Sequence, residues 1–182
     1  MTSLAMVSED STTPREHATR VAAVGALAAT TMLFASLVSA YLVRRSFADW
    51  RPSPALWPFV LLALALGASA GIEVGSRSVG AARGRGFMAL ALSSALYIAG
   101  ALAVIVSVAL SPGGLSGPHN AFVALLLSVH VVHALLGASF SVWALRDGAE
   151  GSGENGLLLT RLVTHFLTAL LFAIVFVLFV LQ

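Results

Sequence analysis

Residues 87–110, FMALALSSALYIAGALAVIVSVAL, hold no charged side chain. At about 1.5 Å rise per residue, a helix of this length spans somewhat more than the roughly 30 Å hydrocarbon core of a bilayer. Four further uncharged apolar runs flank it: Val21 to Val43, Pro52 to Ile72, Ala121 to Leu145 and Leu162 to Leu181. The five runs together take up about 113 of the 182 residues. Composition agrees, because 58% of the chain is hydrophobic and only 10% is charged, against roughly 25% charged in a soluble domain. A water-soluble globule is thereby excluded. The remainder, about 70 residues of tails and short connections, is too little for an extramembranous catalytic domain. We therefore read an all-α polytopic membrane protein with five transmembrane helices in an up-down bundle. A polar cytoplasmic tail is expected over 1–16, and spans over about 18–45, 54–78, 86–110, 119–146 and 157–181.

The scarce charge carries the orientation. All ten basic residues are arginine, and the net charge is +2. Arg15, Arg20, Arg77, Arg83, Arg85, Arg146 and Arg161 fall on the amino-terminal side of the membrane, and Arg44, Arg45 and Arg51 on the other. This asymmetry predicts a cytoplasmic amino terminus and an external carboxyl terminus. The arginines sit at span ends rather than clustering on one soluble face, so no nucleic-acid partner is expected. The absence of cysteine excludes a disulfide framework, cysteine-ligated iron-sulfur clusters and thiolate-bridged copper. The polar stretch before the first run is too long for a typical signal-peptide n-region, and the run exceeds the usual h-region. The first span is therefore expected to stay in the mature protein.

Connections are marked by turn-forming residues. Asp49-Trp50-Arg51-Pro52-Ser53-Pro54 separates the first two spans, with Trp50 and Trp57 at the depth that aromatic rings favour. The Gly80 to Gly86 segment is expected as the second connection, Ser111 to Pro118 as the third and Arg146 to Asn155 as the fourth. The odd number of spans and the lack of an internal repeat argue against a transporter of paired halves. Small residues four apart, Gly25 with Ala29, Ser36 with Ala40 and Gly137 with Ser141, would allow close helix approach.

Polar groups within spans are costly and therefore informative. They are Thr30 and Thr31 in the first span, His130 and His133 in the fourth, and His165 and Thr168 in the fifth. Glu73 precedes Arg77 by four residues, a spacing that lets the two pair on one helix face. His130 and His133 share a face, which suits a metal or haem ligand pair, a proton-conducting element, or two neutral imidazoles hydrogen-bonded within the protein or to lipid. His165 lies nearer its span's inner end than His133 does, by roughly 6–13 Å along the membrane normal. That offset disfavours a shared metal shell.

The residues of Met32 to Arg45, a small-residue helix ending in Ala40-Tyr41 before Arg44-Arg45, resemble the first shared helix of subunit III of haem-copper terminal oxidases. Asp49-Trp50 and the turn from Pro54 to Pro58 look like that family's next connection. Asn120-Ala121-Phe122, followed by His130-Val131-Val132-His133-Ala134-Leu135-Leu136-Gly137, is similar to its His-x-x-His helix, and Thr164-His165-Phe166 to its Trp-His-Phe motif. The likeness runs in order from about Glu16 and fits the short five-helix bacterial form.

The sequence departs from the family pattern at its carboxylates. Thr30 stands where the family commonly has a membrane-buried glutamate, Thr168 where an aspartate often follows, and residues 87–110 contain neither Gln nor Glu. The resemblance implies a subunit with no redox centre or catalytic residue of its own, in the bacterial inner membrane. It would pack beside catalytic subunit I and subunit II of a cytochrome c oxidase, whose haem and copper the partners hold, and would bind phospholipid. Thr30, His130, His133, His165 and Thr168 are the candidate lipid-binding or inter-helix polar contacts. Two other readings stay open: an accessory membrane subunit of a nitric oxide reductase, and a small haem- or metal-binding membrane protein using the three histidines.

Overall fold

The computed structural model describes residues 14–47, 57–77, 81–110, 114–148 and 153–180. These residues are all-helical, without strands, and five of the helices are long and apolar enough to cross a membrane. They are α1 (Pro14–Arg44), α2 (Trp57–Arg77), α3 (Ala81–Leu110), α4 (Pro118–Gly148) and α5 (Gly153–Val175). In hydrocarbon the backbone has no water to bond with, so an apolar segment satisfies its N–H and C=O groups internally by coiling into a helix.

Local chemistry sets several boundaries. Pro118 opens α4, where a missing N–H costs nothing. Pro58 sits in the first turn of α2 for the same reason. Arg44 and Arg77 occupy the last turns of α1 and α2, where cations favour the carbonyl end. A 3-10 turn, Gly114–Ser116, leads into α4, and Gly114 adopts φ +46°, a left-handed conformation open to glycine. The last turn, Phe176–Val180, is a π-helix.

The boundaries differ from expectation in places. α3 begins at Ala81, inside the Gly80 to Gly86 stretch expected to be a connection. α4 runs to Gly148 and α5 starts at Gly153, so much of the expected polar connection is helical. α1 begins at Pro14, within the expected tail. Asp49, Trp50, Pro54 and Pro112 lie outside the described residues, as does the Ser141 side chain.

Helices α2, α3, α4 and α5 close into a ring in which each packs on two others, while α1 lies outside against α4 and α5. The tightest seam joins α2 to α3. A Cβ placed on Gly86 would overlap the Gly75 backbone, and one on Gly71 would come within 2.9 Å of the Leu90 nitrogen. Farther along the same seam, Gly100 meets Leu61. Gly71 and Gly75 are thus a small-residue pair four apart that the sequence reading passed over. At the α4–α5 seam Gly137 approaches Val163 and Leu167. By contrast, nothing lies within 4 Å of a Cβ at Gly25, and Ala29, Ser36 and Ala40 are exposed. Among the described residues, those small residues of α1 make no close helix contact.

The main core fills the ring with Leu61, Tyr97, Ala101, Val123, Leu126, Leu127, Leu171 and Ile174, and Phe34 and Tyr41 of α1 key into it. Tyr41 is fully buried. Its hydroxyl donates to the Leu178 carbonyl at 3.4 Å, within the π-turn. Carbonyls in a helix's last turn lack intrahelical donors, and the tyrosine supplies one from a different helix.

Candidate functional site

Three polar layers follow one another along the bundle, the first partly exposed and the other two buried at Thr168 and His130. The first is centred on Glu73 at the end of α2. Its Oε1 accepts from Arg161 Nε at 2.9 Å and from His165 Nε2 at 2.9 Å, and its Oε2 accepts from Arg77 Nε at 3.1 Å. The guanidinium NH2 groups of Arg161 and Arg77 close both ion pairs, at 2.8 and 3.0 Å. Arg77 is the expected i,i+4 partner, but its side chain is 78% exposed. Arg161 and His165 on α5 make the layer an inter-helix clamp. They are four residues apart, so both reach the carboxylate from one helix face.

One turn along α2, Ser69 Oγ lies 2.7 Å from Thr168 Oγ1. The Thr168 hydroxyl also lies 2.9 Å from the Thr164 carbonyl and 3.2 Å from the Ala65 carbonyl. A hydroxyl has a single proton and the carbonyls can only accept, so Thr168 shares its proton between the two carbonyls and accepts from Ser69. The threonine thereby ties α5 to α2 at two points.

The third layer is His130, only 2% exposed. Its Nε2 lies 2.9 Å from the Leu167 carbonyl on α5, and its Nδ1 hydrogen-bonds the Tyr97 hydroxyl on α3. The carbonyl accepts, which places the proton on Nε2 and leaves Nδ1 as an acceptor for the tyrosine. A neutral imidazole is the form that an apolar surrounding tolerates. His130 therefore joins α3, α4 and α5 with both ring nitrogens used.

The two other marked residues turn inward to their own helices. His133 Nδ1 donates to the Val129 carbonyl at 2.8 Å, and Thr30 Oγ1 donates to the Ala26 carbonyl at 2.9 Å. Phe34 lies edge-on to both His130 and His133, with ring centroids 6.2 and 5.7 Å away, and so binds α1 to this face of α4. Toward the other end of α4, Tyr41 meets Phe122 edge-on at 5.8 Å. Among the described residues no three His, Asp or Glu side chains converge as a metal shell would require. The five sequence-marked residues thus divide into three whose hydrogen bonds cross between helices, His130, His165 and Thr168, and two, Thr30 and His133, whose hydrogen bonds stay within their own helix.

Sequence reading missed Tyr97, Ser69 and the role of Arg161. The signal available for the last was the Arg161–His165 spacing itself, a basic pair one turn apart at a span's start, which calls for a carboxylate on a neighbour. Between the second and third layers lies a cavity of about 50 Å³, walled by all four ring helices. Comparison with known protein families, with characterised proteins and with solved structures finds no match to this chain.

The Glu73 clamp gives a prediction. Glu73→Gln keeps the shape but leaves two arginines without their carboxylate, and the midpoint of thermal unfolding in detergent is expected to fall. Arg77→Ala, which removes a largely exposed partner, is expected to change little. Glu73→Gln and Arg161→Ala are expected to be non-additive, since each breaks the same contact. A Glu73→Gln midpoint equal to that of the parent would contradict the clamp.

Proposed function

We propose that this chain is a non-catalytic, subunit III-like component of a bacterial respiratory haem-copper oxidase. In this reading it crosses the inner membrane as an up-down bundle with its amino terminus in the cytoplasm, stabilises the catalytic subunit and holds phospholipid. The observation that carries the reading is that residues bearing the resemblance meet in space. Phe34 and Tyr41 of the first motif pack on Phe122, His130 and His133 of the second. His165 and Thr168, from the third, hold α5 to α2.

Other features support the reading. The Gly75–Gly86 and Leu61–Gly100 contacts, the Gly137–Val163 contact and the Glu73–Arg161 pair suit neighbours of opposite direction. The arginine asymmetry favours the cytoplasmic side for the Glu73 end. Large apolar side chains such as Met32, Val43, Met88, Leu92 and Val106 stand exposed on α1 and α3, a surface suited to lipid and to the helices of larger partner subunits. The haems and copper of such a complex belong to subunits I and II.

Purification of the tagged chain in mild detergent tests this. The expected result is co-purification of the catalytic oxidase subunits, with all haem absorbance assignable to them. Isolation of the chain alone with stoichiometric haem would overturn the reading, as would co-purification with nitric oxide reductase subunits instead.

A further inference from the structure

The Glu73 layer carries more positive charge than its carboxylate cancels. Among the described side chains Glu73 is the single carboxylate, and it pairs with the guanidinium groups of both Arg77 and Arg161. A third, that of exposed Arg85, stands next to Gly86, whose close contact with Gly75 puts it near the level of Arg77. Three guanidinium groups thus stand against one carboxylate. His165, on the same oxygen as Arg161, adds a further donor and no negative charge.

This surplus sits at the membrane boundary. Arg77 ends the second span, Arg85 follows Gly84 at the start of the third, and Arg161 lies four residues, about 6 Å, inside the fifth, which starts at Leu157. Ala68, Ile72, Leu90 and Leu157 gather α2, α3 and α5 in a small apolar cluster at this end. The side chains of Arg161 and His165 are 38% and 43% exposed, and that of Arg77 more so, so the cations reach the outer surface of the bundle. A guanidinium has donors on three nitrogens. Arg77 and Arg161 each turn only Nε and one terminal nitrogen to Glu73, so the other terminal nitrogen of each is not used by it.

Uncompensated charge at the edge of hydrocarbon is costly, and basic pockets between helices are suited there to lipid phosphate. A zwitterionic headgroup would bring its own ammonium against the arginines, whereas an anionic one brings net negative charge. Because Arg161 lies inside its span, a phosphate carried by a lipid reaches it within the plane of the membrane, and a dissolved one must first give up its water.

We propose that Arg77, Arg85 and Arg161, with His165, form a binding site for the phosphate of an anionic phospholipid in the leaflet at the Glu73 end. Glu73 organises the arginines, and the headgroup neutralises the charge that the carboxylate leaves over. Naming the lipid class and its residues deepens the phospholipid part of the reading above and rests on that part alone, so lipid retention and oxidase co-purification can fail separately.

Native mass spectrometry of the full-length chain, stripped of lipid and offered equimolar phosphatidylglycerol and phosphatidylcholine with the same acyl chains, tests the site. At about fivefold per net charge, a surplus of two favours retention of phosphatidylglycerol on the order of 25-fold. Arg77→Gln and Arg85→Gln are each expected to lower this preference about fivefold. Arg44→Gln, at the opposite end of the bundle, is expected to leave it unchanged. Arg77 is largely exposed, so its variant is expected to fold, and an unaltered thermal midpoint checks this. Inorganic phosphate at the same concentration is expected not to displace the lipid. Equal retention of the two lipids by the parent would overturn the proposal and leave protein carboxylates as the counter-charge. An undiminished preference in both arginine variants would overturn the assigned residues, and displacement by inorganic phosphate would overturn the lipid as the source of the anion.

Discussion

His130→Ala is expected to lower stability against unfolding in detergent by about 3 kcal/mol or more, the largest effect of any polar substitution in the ring. Truncation of a large, fully enclosed side chain costs about 2–4 kcal/mol in lost packing. Each inter-helix hydrogen bond in a bilayer adds about 0.6–2 kcal/mol, and this imidazole makes two, to Tyr97 and to Leu167. Tyr97→Phe, which keeps its ring and loses one bond, is therefore expected to cost only about 1 kcal/mol. The double variant should cost less than the sum, because Tyr97→Phe leaves no hydroxyl stranded once the imidazole is gone. His133→Ala is expected to cost under about 1 kcal/mol, since its hydrogen bond stays within its own helix turn. Equal losses at the two histidines, measured by chemical or thermal unfolding, would remove the distinction drawn between them.

Gly86→Ala is the second substitution with a large expected effect, and an unusual one, since alanine is ordinarily the better helix former by about 1 kcal/mol. Here the added methyl would overlap the Gly75 backbone and stand 3.0 Å from the Gly71 carbonyl. Backbone atoms cannot rotate aside as a side chain can, so α2 and α3 must separate along their whole seam. A cost of about 3 kcal/mol is expected, at the upper end of the range for overpacking, and Gly86→Val should prevent the helices from packing. Gly25→Ala is the matched control. Nothing lies within 4 Å of its added methyl, and stability is expected to hold or rise slightly. A neutral Gly86→Ala in the same unfolding assay would mean that the α2–α3 seam is looser than the close approach of its glycines implies.

Five helices could be read directly from uncharged runs, because crossing hydrocarbon imposes a length and a composition that show up locally. The ends were less legible. Ala81 to Gly86 reads as a linker for its glycines and arginines, yet Gly86 is glycine for a reason found on another helix, namely the Gly75 backbone. The same limit applies to the polar residues. The sequence marks His130, His165 and Thr168 as out of place in a membrane, but their partners are far away in the chain. Arg161 and His165 stand 88 and 92 residues from Glu73, and Tyr97 stands 33 residues before His130. A local pattern can show that a polar group needs a partner; only packing names it. Glu73 illustrates the trap, because Arg77 at i+4 looks sufficient for it and hides the need for α5.

The peripheral place of α1 has a consequence for how the chain is made. Its anchors are Phe34 on α4 and Tyr41 on the turn that ends α5, and the Tyr41–Leu178 bond joins residues 137 positions apart. At about 5–20 residues per second, a ribosome needs roughly 7–27 s to synthesise the intervening chain. Phe34 can meet α4 as soon as that span is made, but throughout the whole interval the Tyr41 hydroxyl goes without its Leu178 acceptor. Docking of the earliest of the five helices is therefore completed only when the last span arrives, and a chaperone or insertase that shields one helix would have a long task on α1.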